Sequence, residues 1–582
     1  MKAEDIKRIA EEALGADLSG VTLLDGDCIS VRIDSARATV CGATLPQKLR
    51  GLALYHMHRD EDGYSVTQAP AFDTLGSMID VSRGGVMRPE KVKEFILRTA
   101  LAGANAFMLY TEDIFTLEGY PHLGYLRGAY TDGELRSIDD YAASLGVEVI
   151  PCIQTLGHMA QYLSWTQEAK ELRDTDSVLL CDGEDTYRFL DAVIGKMSRI
   201  FRSRRIHIGM DEAHDVALGN YLKKFGYRER YSVLRRHLAR VTDICQSYGY
   251  APMMWSDMFF RIGSKTSNYY DLDVTFPDEL KENMPPVDLV YWDYWNGNGE
   301  IYRGMLRRHG ELGRRTVFSG SVISCHGPLP IYSVTRSCAT TGLDACLCEG
   351  VREVFATFWG DDGHECDFFD SLYAFSIFSE KCYDKNASRA DVDRMGALIS
   401  GVSPKLAREI EAFYRVPRSK SLLWGDVFYN LTGIDYTEGE GEGYRFLDGV
   451  IADCDDERVR LVLSVLRAKA ELYATLLPAY RAKQSLAYFA DTLLPRLRAD
   501  LVRLSELHGE RWLSVYKPFG YEVVQSRFAT AIARTEYAID LLSRYGRGEI
   551  ASVEELEYEP IFGEIRVDQY AYNAFSRVTV FN

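Results

Sequence analysis

The chain has 582 residues, 46% of them apolar and 26% charged, the profile of a folded protein too long for a single core. Its net charge of -18 argues against a nucleic-acid or anionic-membrane partner, because phosphate binding needs a basic surface. The N-terminal MKAEDIKRIAEEALG lacks an apolar signal core and no run of about eighteen apolar residues offers a membrane span, so a cytoplasmic protein without membrane contact is expected.

Residues 1–72 read as a small α/β domain. Ile6, Ile9, Ala13 and Leu14 have helical spacing and Gly15 is a helix stop. GVTLL and CISVRID flank Asp25-Gly26, a hairpin signal, and ARATVC adds a third strand. The 12 cysteines are scattered, often in apolar strands (Cys41, Cys152, Cys325), and read as reduced core residues.

Between residues 73 and 380 short apolar strands alternate with helical stretches: SMIDVS, AFMLYTED, VEVIPCIQ, RIHIGMDE, PMMWSDMF, DLVYWDYW, TVFSGSVI and EVFATFWGDD. Eight such β/α units fit a (β/α)8 barrel. Pro89 starts the first helix, Thr131 and Glu134 form a capping box, and Gly146 ends that helix. Polar residues gather at the C-terminal ends of the strands, where barrels build active sites. They are Asp80 and Arg83, Glu112 and Asp113, Gln154 and His158, Asp211 and Glu212, Trp255 and Asp257, Tyr291 and Asp293, His326, and Trp359, Asp361, Asp362 and Glu365.

RIHIGMDEAHD carries the strongest chemical signal. If Ile206 to Asp211 is a strand, His207, Gly209 and Asp211 share one face, and Glu212 falls where the backbone turns. Two carboxyls in a partly dry pocket push their pKa values apart, as acid/base chemistry requires. The same residues also fit a solvated acidic turn, or a metal site using His207, Asp211 and His214. No HExxH or zinc-ribbon spacing is present, so neither metal nor cofactor is expected. A phosphate-binding glycine loop and a GxSxG elbow are also missing. A lining of carboxylates, indoles and phenols suits a neutral polyol, and two carboxylates hydrolysing a glycoside follow from it.

Residues 381–582 read as a mainly helical domain. Val459, Leu463, Leu466, Ala470 and Tyr473 form one stripe, and Leu494, Leu497, Leu501 and Leu504 another, as helix-packing core. Pro478 and Pro495 mark helix starts or kinks, Glu438 to Gly443 reads as a mobile loop, and EIRVDQYAYN and VTVFN look strand-like. A homodimer is the default assembly.

HIGMDEAH resembles the H-x-G-x-D-E signature of family 20 glycoside hydrolases, the exo-acting β-N-acetylhexosaminidases. MIDVSRG, YWDY and TFWGDDGHE resemble further barrel strands of that family in the right order, and the compact layout resembles a bacterial non-secreted branch. The resemblance implies a retaining hydrolysis of terminal β-GlcNAc or β-GalNAc from a small oligosaccharide or glycoconjugate, in which the substrate's own 2-acetamido carbonyl is the nucleophile. It implies Glu212 as acid/base, Asp211 orienting the acetamido group and Tyr291 donating to its oxygen. Trp255 and Trp359 would wall the site. Arg83, Asp293 and Glu365 would bind hydroxyls, with Asp361 or Asp362 as substitutes because Glu365 lies six positions after Trp359. His158 would bind a hydroxyl or support the acid through Glu112 or Asp113. His326, Trp292 and Trp295 read as packing residues, and Tyr120 to Tyr130 and Leu329 to Tyr332 as loops that set aglycone preference. Two other readings are a sugar-binding barrel without catalysis and a barrel glycosidase with Asp293 as nucleophile.

Overall fold

A computed structural model describes residues 2–34, 37–430, 432–560 and 562–563. The strand-like tail segments, 564–573 and 578–582, lie outside the described residues. The N-terminal domain packs helices Ala3–Leu14 and Leu45–His58 on a sheet of β1 (Val21–Asp25), β2 (Ile29–Asp34), β3 (Arg37–Gly42) and β4 (Ser65–Gln68). Gly15 caps the first helix in the left-handed conformation, as its position suggested. Asp25-Gly26 is not a hairpin. β3 inserts between β1 and β2, pairing parallel with β1 and antiparallel with β2, so the antiparallel partner of β2 is β3 and not β1.

Eight parallel strands then close a barrel: β5 (Thr74–Asp80), β6 (Ala106–Tyr110), β7 (Glu148–Cys152), β8 (Arg205–His207), β9 (Ala251–Trp255), β10 (Asp288–Trp292), β11 (Thr316–Val322) and β12 (Glu353–Phe358). They coincide with the eight apolar runs of the sequence. Met78, Met108, Ile150, Met253, Val290, Val317 and Phe355 fill the barrel interior, while the opposite faces of the strands pack on the helices. Gly76 is required where β12 closes on β5, because a Cβ there would lie 2.2 Å from the Phe355 ring. The Thr131–Glu134 capping box and the Pro89 helix start both form.

The two rims differ in charge pairing. At the strand starts, Arg205 reaches Glu353 at 2.6 Å and also pairs with Glu148, and Arg315 pairs with Asp288 and Glu353. The opposite rim carries the carboxylates that surround a cavity.

Helices of the C-terminal region cover that same rim. Both stripes are buried, apart from Tyr473, which is half-buried. Pro478 sits inside helix Glu457–Arg481, and Pro495 opens helix Leu494–Val515. The glutamate- and glycine-rich stretch expected to be a loop is a 3-10 helix, Gly439–Phe446.

The N-terminal domain is bolted to the barrel by Arg50, which is fully buried and forked onto Glu380 at 2.8 and 3.0 Å. Its Nε donates to Gln68 and its Nη1 to the carbonyl of Ala102. Removing one member of such a pair strands the other charge in the dry interior. Arg50→Met is therefore expected to cost about 3–5 kcal/mol in urea unfolding, and Arg50→Met with Glu380→Leu to recover most of it.

Candidate active site

The site grows from the loops that follow the barrel strands. After β8 the backbone leaves the strand earlier than alternation predicts. His207 is its last residue, and Gly209 and Met210 take φ of 68° and 75°. Gly209 is needed there, because a Cβ would fall 2.1 Å from Gln154 Oε1. This turn, with φ of 51° at Glu212, directs both carboxylates inward while Ile208 and Met210 stay in the outer core. His207 is held neutral: burial pushes its pKa down to about 3, and its Nδ1 accepts the Gly209 N–H.

His158, from the loop after β7, stands between the two acids. Its Nε2 lies 3.2 Å from Asp211 Oδ2 and 3.3 Å from Glu212 Oε2. Burial opposes its charge, but the Asp211 and Glu212 carboxylates win and raise its pKa well above that of free histidine. Burial alone would raise the pKa of both acids. The His158 cation outweighs it and holds both below the ordinary carboxylate range, with further help from Gln154 for Asp211 and from the Tyr269 hydroxyl for Glu212. Gln154 Nε2 donates to Asp211 Oδ1 at 2.7 Å and to the Tyr110 hydroxyl at 2.8 Å, and Tyr110 donates to Glu112 Oε1 at 3.0 Å. Glu112 in turn pairs with Arg83 at 2.8 Å, so one polar chain runs from Arg83 to Asp211. Asp257 lies beneath Glu212, accepting its backbone N–H at 3.0 Å. Burial, and then the Asp211 charge, push the Asp257 carboxyl up to about 8.

The cavity above these groups holds about 530 Å³ and is lined by Arg83, His158, Asp211, Glu212, Trp255, Trp359 and Asp361. Tyr269, Trp292, Tyr294, Trp295, Ser321, Ile323, Cys325 and His326 complete the lining. Paired acids under tryptophan walls, without a phosphate cradle, form a glycosidase-like pocket.

The description "Glycosyl hydrolase family 20, catalytic domain" matches residues 72–273, and "Glycoside Hydrolase 20C C-terminal domain" matches residues 409–571. The chain belongs to glycoside hydrolase family 20. It is 26% identical to Beta-hexosaminidase 3 of Arabidopsis thaliana over 221 residues, covering 35% of this chain and 40% of the plant protein. It is also 26% identical to Hexosaminidase D of Bos taurus over 202 residues, covering 33% of this chain and 55% of the bovine protein. The aligned stretches thus span about half or less of these relatives. The solved GH20 beta-N-acetylhexosaminidase of Streptomyces coelicolor A3(2) shares the fold, with a TM-score of 0.51 at 18% identity, covering 69% of this chain and 90% of that one.

Against this family 20 frame, the residues singled out in the sequence separate into two groups. Arg83, His158, Asp211, Glu212, Trp255, Trp359 and Asp361 meet in the cavity, with Glu112 directly behind Arg83. Asp113, Tyr291, Asp293, Asp362 and Glu365 do not line it. Asp113 pairs with Arg127. Tyr291 faces the outer core, because Val290 and Trp292 take the inward positions on β10, and its hydroxyl donates to Asp293 at 2.8 Å. Asp293 spends its oxygens on Tyr291 and on the backbone and side chain of Asn296. Asp362 and Glu365 pair with Lys420 and Arg527 of the C-terminal region. Of the two tyrosines near the end of β10, the one at the cavity is Tyr294, three positions on, past the strand end. Trp292, Trp295 and His326, read above as packing, line the cavity, whereas neither expected specificity loop contributes a lining residue among those described. Period-two alternation on β10 would have exposed the Tyr291 misplacement, but no sequence signal points to Tyr269.

The His158 cation lowers the Glu212 pKa, so removing it must raise that pKa. In His158→Gln, the Glu212 carboxyl is expected to titrate about one to three pH units higher, followed by carboxyl 13C NMR against a Glu212→Gln reference.

Proposed function

We propose that the protein is a retaining exo-β-N-acetylhexosaminidase that removes terminal β-GlcNAc or β-GalNAc through the substrate's own acetamido group. The observation that carries this reading is the pairing of a buried, fixed Asp211 with a more accessible Glu212 in one cavity. Asp211 is clamped by Gln154 and His158 and suits a stationary acceptor for the acetamido N–H. Glu212, with a side chain about one-fifth exposed, suits proton exchange with the glycosidic oxygen and water.

In the first step the proton shared by His158 and Glu212, 3.3 Å apart, passes through Glu212 to the leaving oxygen, the acetamido carbonyl oxygen attacks C1, and the C1–O bond to the leaving group breaks. Asp211 stabilises the positive charge that develops on the oxazolinium ring. Internal attack is efficient because the nucleophile is already held beside C1. In the second step water attacks C1, Glu212 takes its proton, and the ring opens with net retention.

Tyr294 takes the role first assigned to Tyr291. Its ring lines the cavity, stacked on Trp292 at 5.2 Å, and its hydroxyl is the donor assigned to the acetamido oxygen. Trp255 and Trp359, with ring centroids 6.1 Å apart, wall the sugar. Arg83 and Asp361, 3.5 Å apart, are placed for hydroxyls. Asp293 does not line the cavity and is hydrogen-bonded to Tyr291 and Asn296, which disfavours it as an enzyme nucleophile. A cytoplasmic location belongs to the same proposal and is supported by twelve cysteines that are all free thiols.

The test is hydrolysis of p-nitrophenyl β-GlcNAc, β-GalNAc and β-glucoside. Turnover restricted to the acetamido sugars and blocked by a thiazoline mimic of the oxazoline is expected, with Glu212→Gln lowering kcat about 10²–10⁴-fold. Glucoside turnover, or indifference to the thiazoline, would contradict the proposal. Tyr294→Phe is expected to lower kcat about 10²-fold or more, as loss of a donor to developing charge does, and Tyr291→Phe to change it little. The reverse ranking would return the role to Tyr291.

A further inference from the structure

Asp361 stands on a loop whose backbone is unusual. The three residues after it, Asp362, Gly363 and His364, have φ of 60°, 90° and 57°. Left-handed conformations at two non-glycine residues persist only where the surroundings over-determine them. From the barrel, Asp80 Oδ2 accepts the Gly360 N–H at 3.1 Å and the Gly360 carbonyl accepts the His364 N–H at 2.9 Å. The remaining anchors belong to the C-terminal region. Arg527 donates to Asp362 Oδ1 at 2.9 Å and to Glu365, while Lys420 pairs with Asp362 and lies 3.6 Å from Glu365. Two cations and two carboxylates balance in a buried cluster directly behind the cavity.

The same region backs the neighbouring loops. Tyr414 donates to the carbonyl of Leu329, behind the loop that carries His326. The Lys517 N–H donates to Val86 at 2.7 Å and the Arg88 N–H to Val515 at 2.9 Å, behind the loop that carries Arg83. The contacts therefore converge on the part of the cavity formed by Arg83 and Asp361.

We propose that Arg527 and Lys420 are positioning residues of the active site: by gripping Asp362 and Glu365 they hold Asp361 against Arg83. The C-terminal region thereby sets how tightly the terminal sugar is held, although among the described residues it supplies none of the lining. The inference takes its substrate from the hexosaminidase reading.

The test compares Arg527→Met, Asp361→Asn and their double variant on p-nitrophenyl β-GlcNAc, with GlcNAc binding by calorimetry in parallel. A contact made alike in ground and transition states appears in KM. Arg527→Met and Asp361→Asn are each expected to raise KM and the GlcNAc Kd about ten- to hundredfold, the scale of a lost hydrogen bond to a charged group. The double variant is expected to be no worse than Asp361→Asn alone, and Arg527→Lys to restore part of the loss. Arg50→Met, which breaks a buried pair remote from this loop, is expected to leave KM unchanged, separating positioning from general destabilisation. A folded Arg527→Met protein with wild-type KM and Kd, or multiplying effects in the double variant, would overturn the proposal. Lys420→Met gives the same contrast if Arg527→Met does not fold. A wild-type protein that binds GlcNAc without turnover would refute the hydrolase reading, while the Kd comparison would still decide this one.

Discussion

One imidazole held between two carboxylates organises this protein. Asp211 and Glu212 are adjacent in the chain and share one cavity, the first buried and the second half-buried, an arrangement that mutual repulsion and desolvation both oppose. His158 makes it tenable by giving each acid a partner through a single nitrogen, 3.2 and 3.3 Å away. His158 lies within hydrogen-bond distance of both, so its charge bears on the protonation of each acid. In the proposed reaction, an acetamido group docked on Asp211 would alter that balance as Glu212 donates.

Such a cluster needs a rigid frame, and the barrel supplies one through neighbouring strands. β7 and β8 pair at Cys152 and His207, which brings the loops carrying His158 and Asp211 side by side. Polar support then runs outward through Gln154, Tyr110, Glu112 and Arg83. The barrel's other rim pairs its charges among Arg205, Arg315, Glu148, Asp288 and Glu353, away from the cavity. The C-terminal helices close the arrangement from behind, with buried ion pairs behind the loop of β12 and hydrogen bonds to backbone carbonyls behind those of β5 and β11.

Much of this was readable from the order of residues alone. Apolar runs at regular spacing, with helix caps between them, specify eight β/α units because each strand must be buried on both faces and each helix on one. The adjacent Asp211 and Glu212, the polar strand ends and the tryptophans announce sugar chemistry because few other substrates suit acids under aromatic walls. These are properties of local pattern and composition.

Which residues meet was decided elsewhere. Tyr291 and Tyr294 are both tyrosines at the end of β10, and only strand parity and the loop beyond it turn one to the outer core and the other to the cavity. Glu365, Asp362 and Asp361 are three carboxylates within five residues, separated by a left-handed turn and by cations more than fifty residues away in sequence. Likewise, the β1–β3 pairing overrode a sound turn signal at Asp25-Gly26. Side-chain direction past a strand end depends on φ values imposed by distant partners. Local sequence therefore names the chemistry, and long-range packing assigns each residue its part in it.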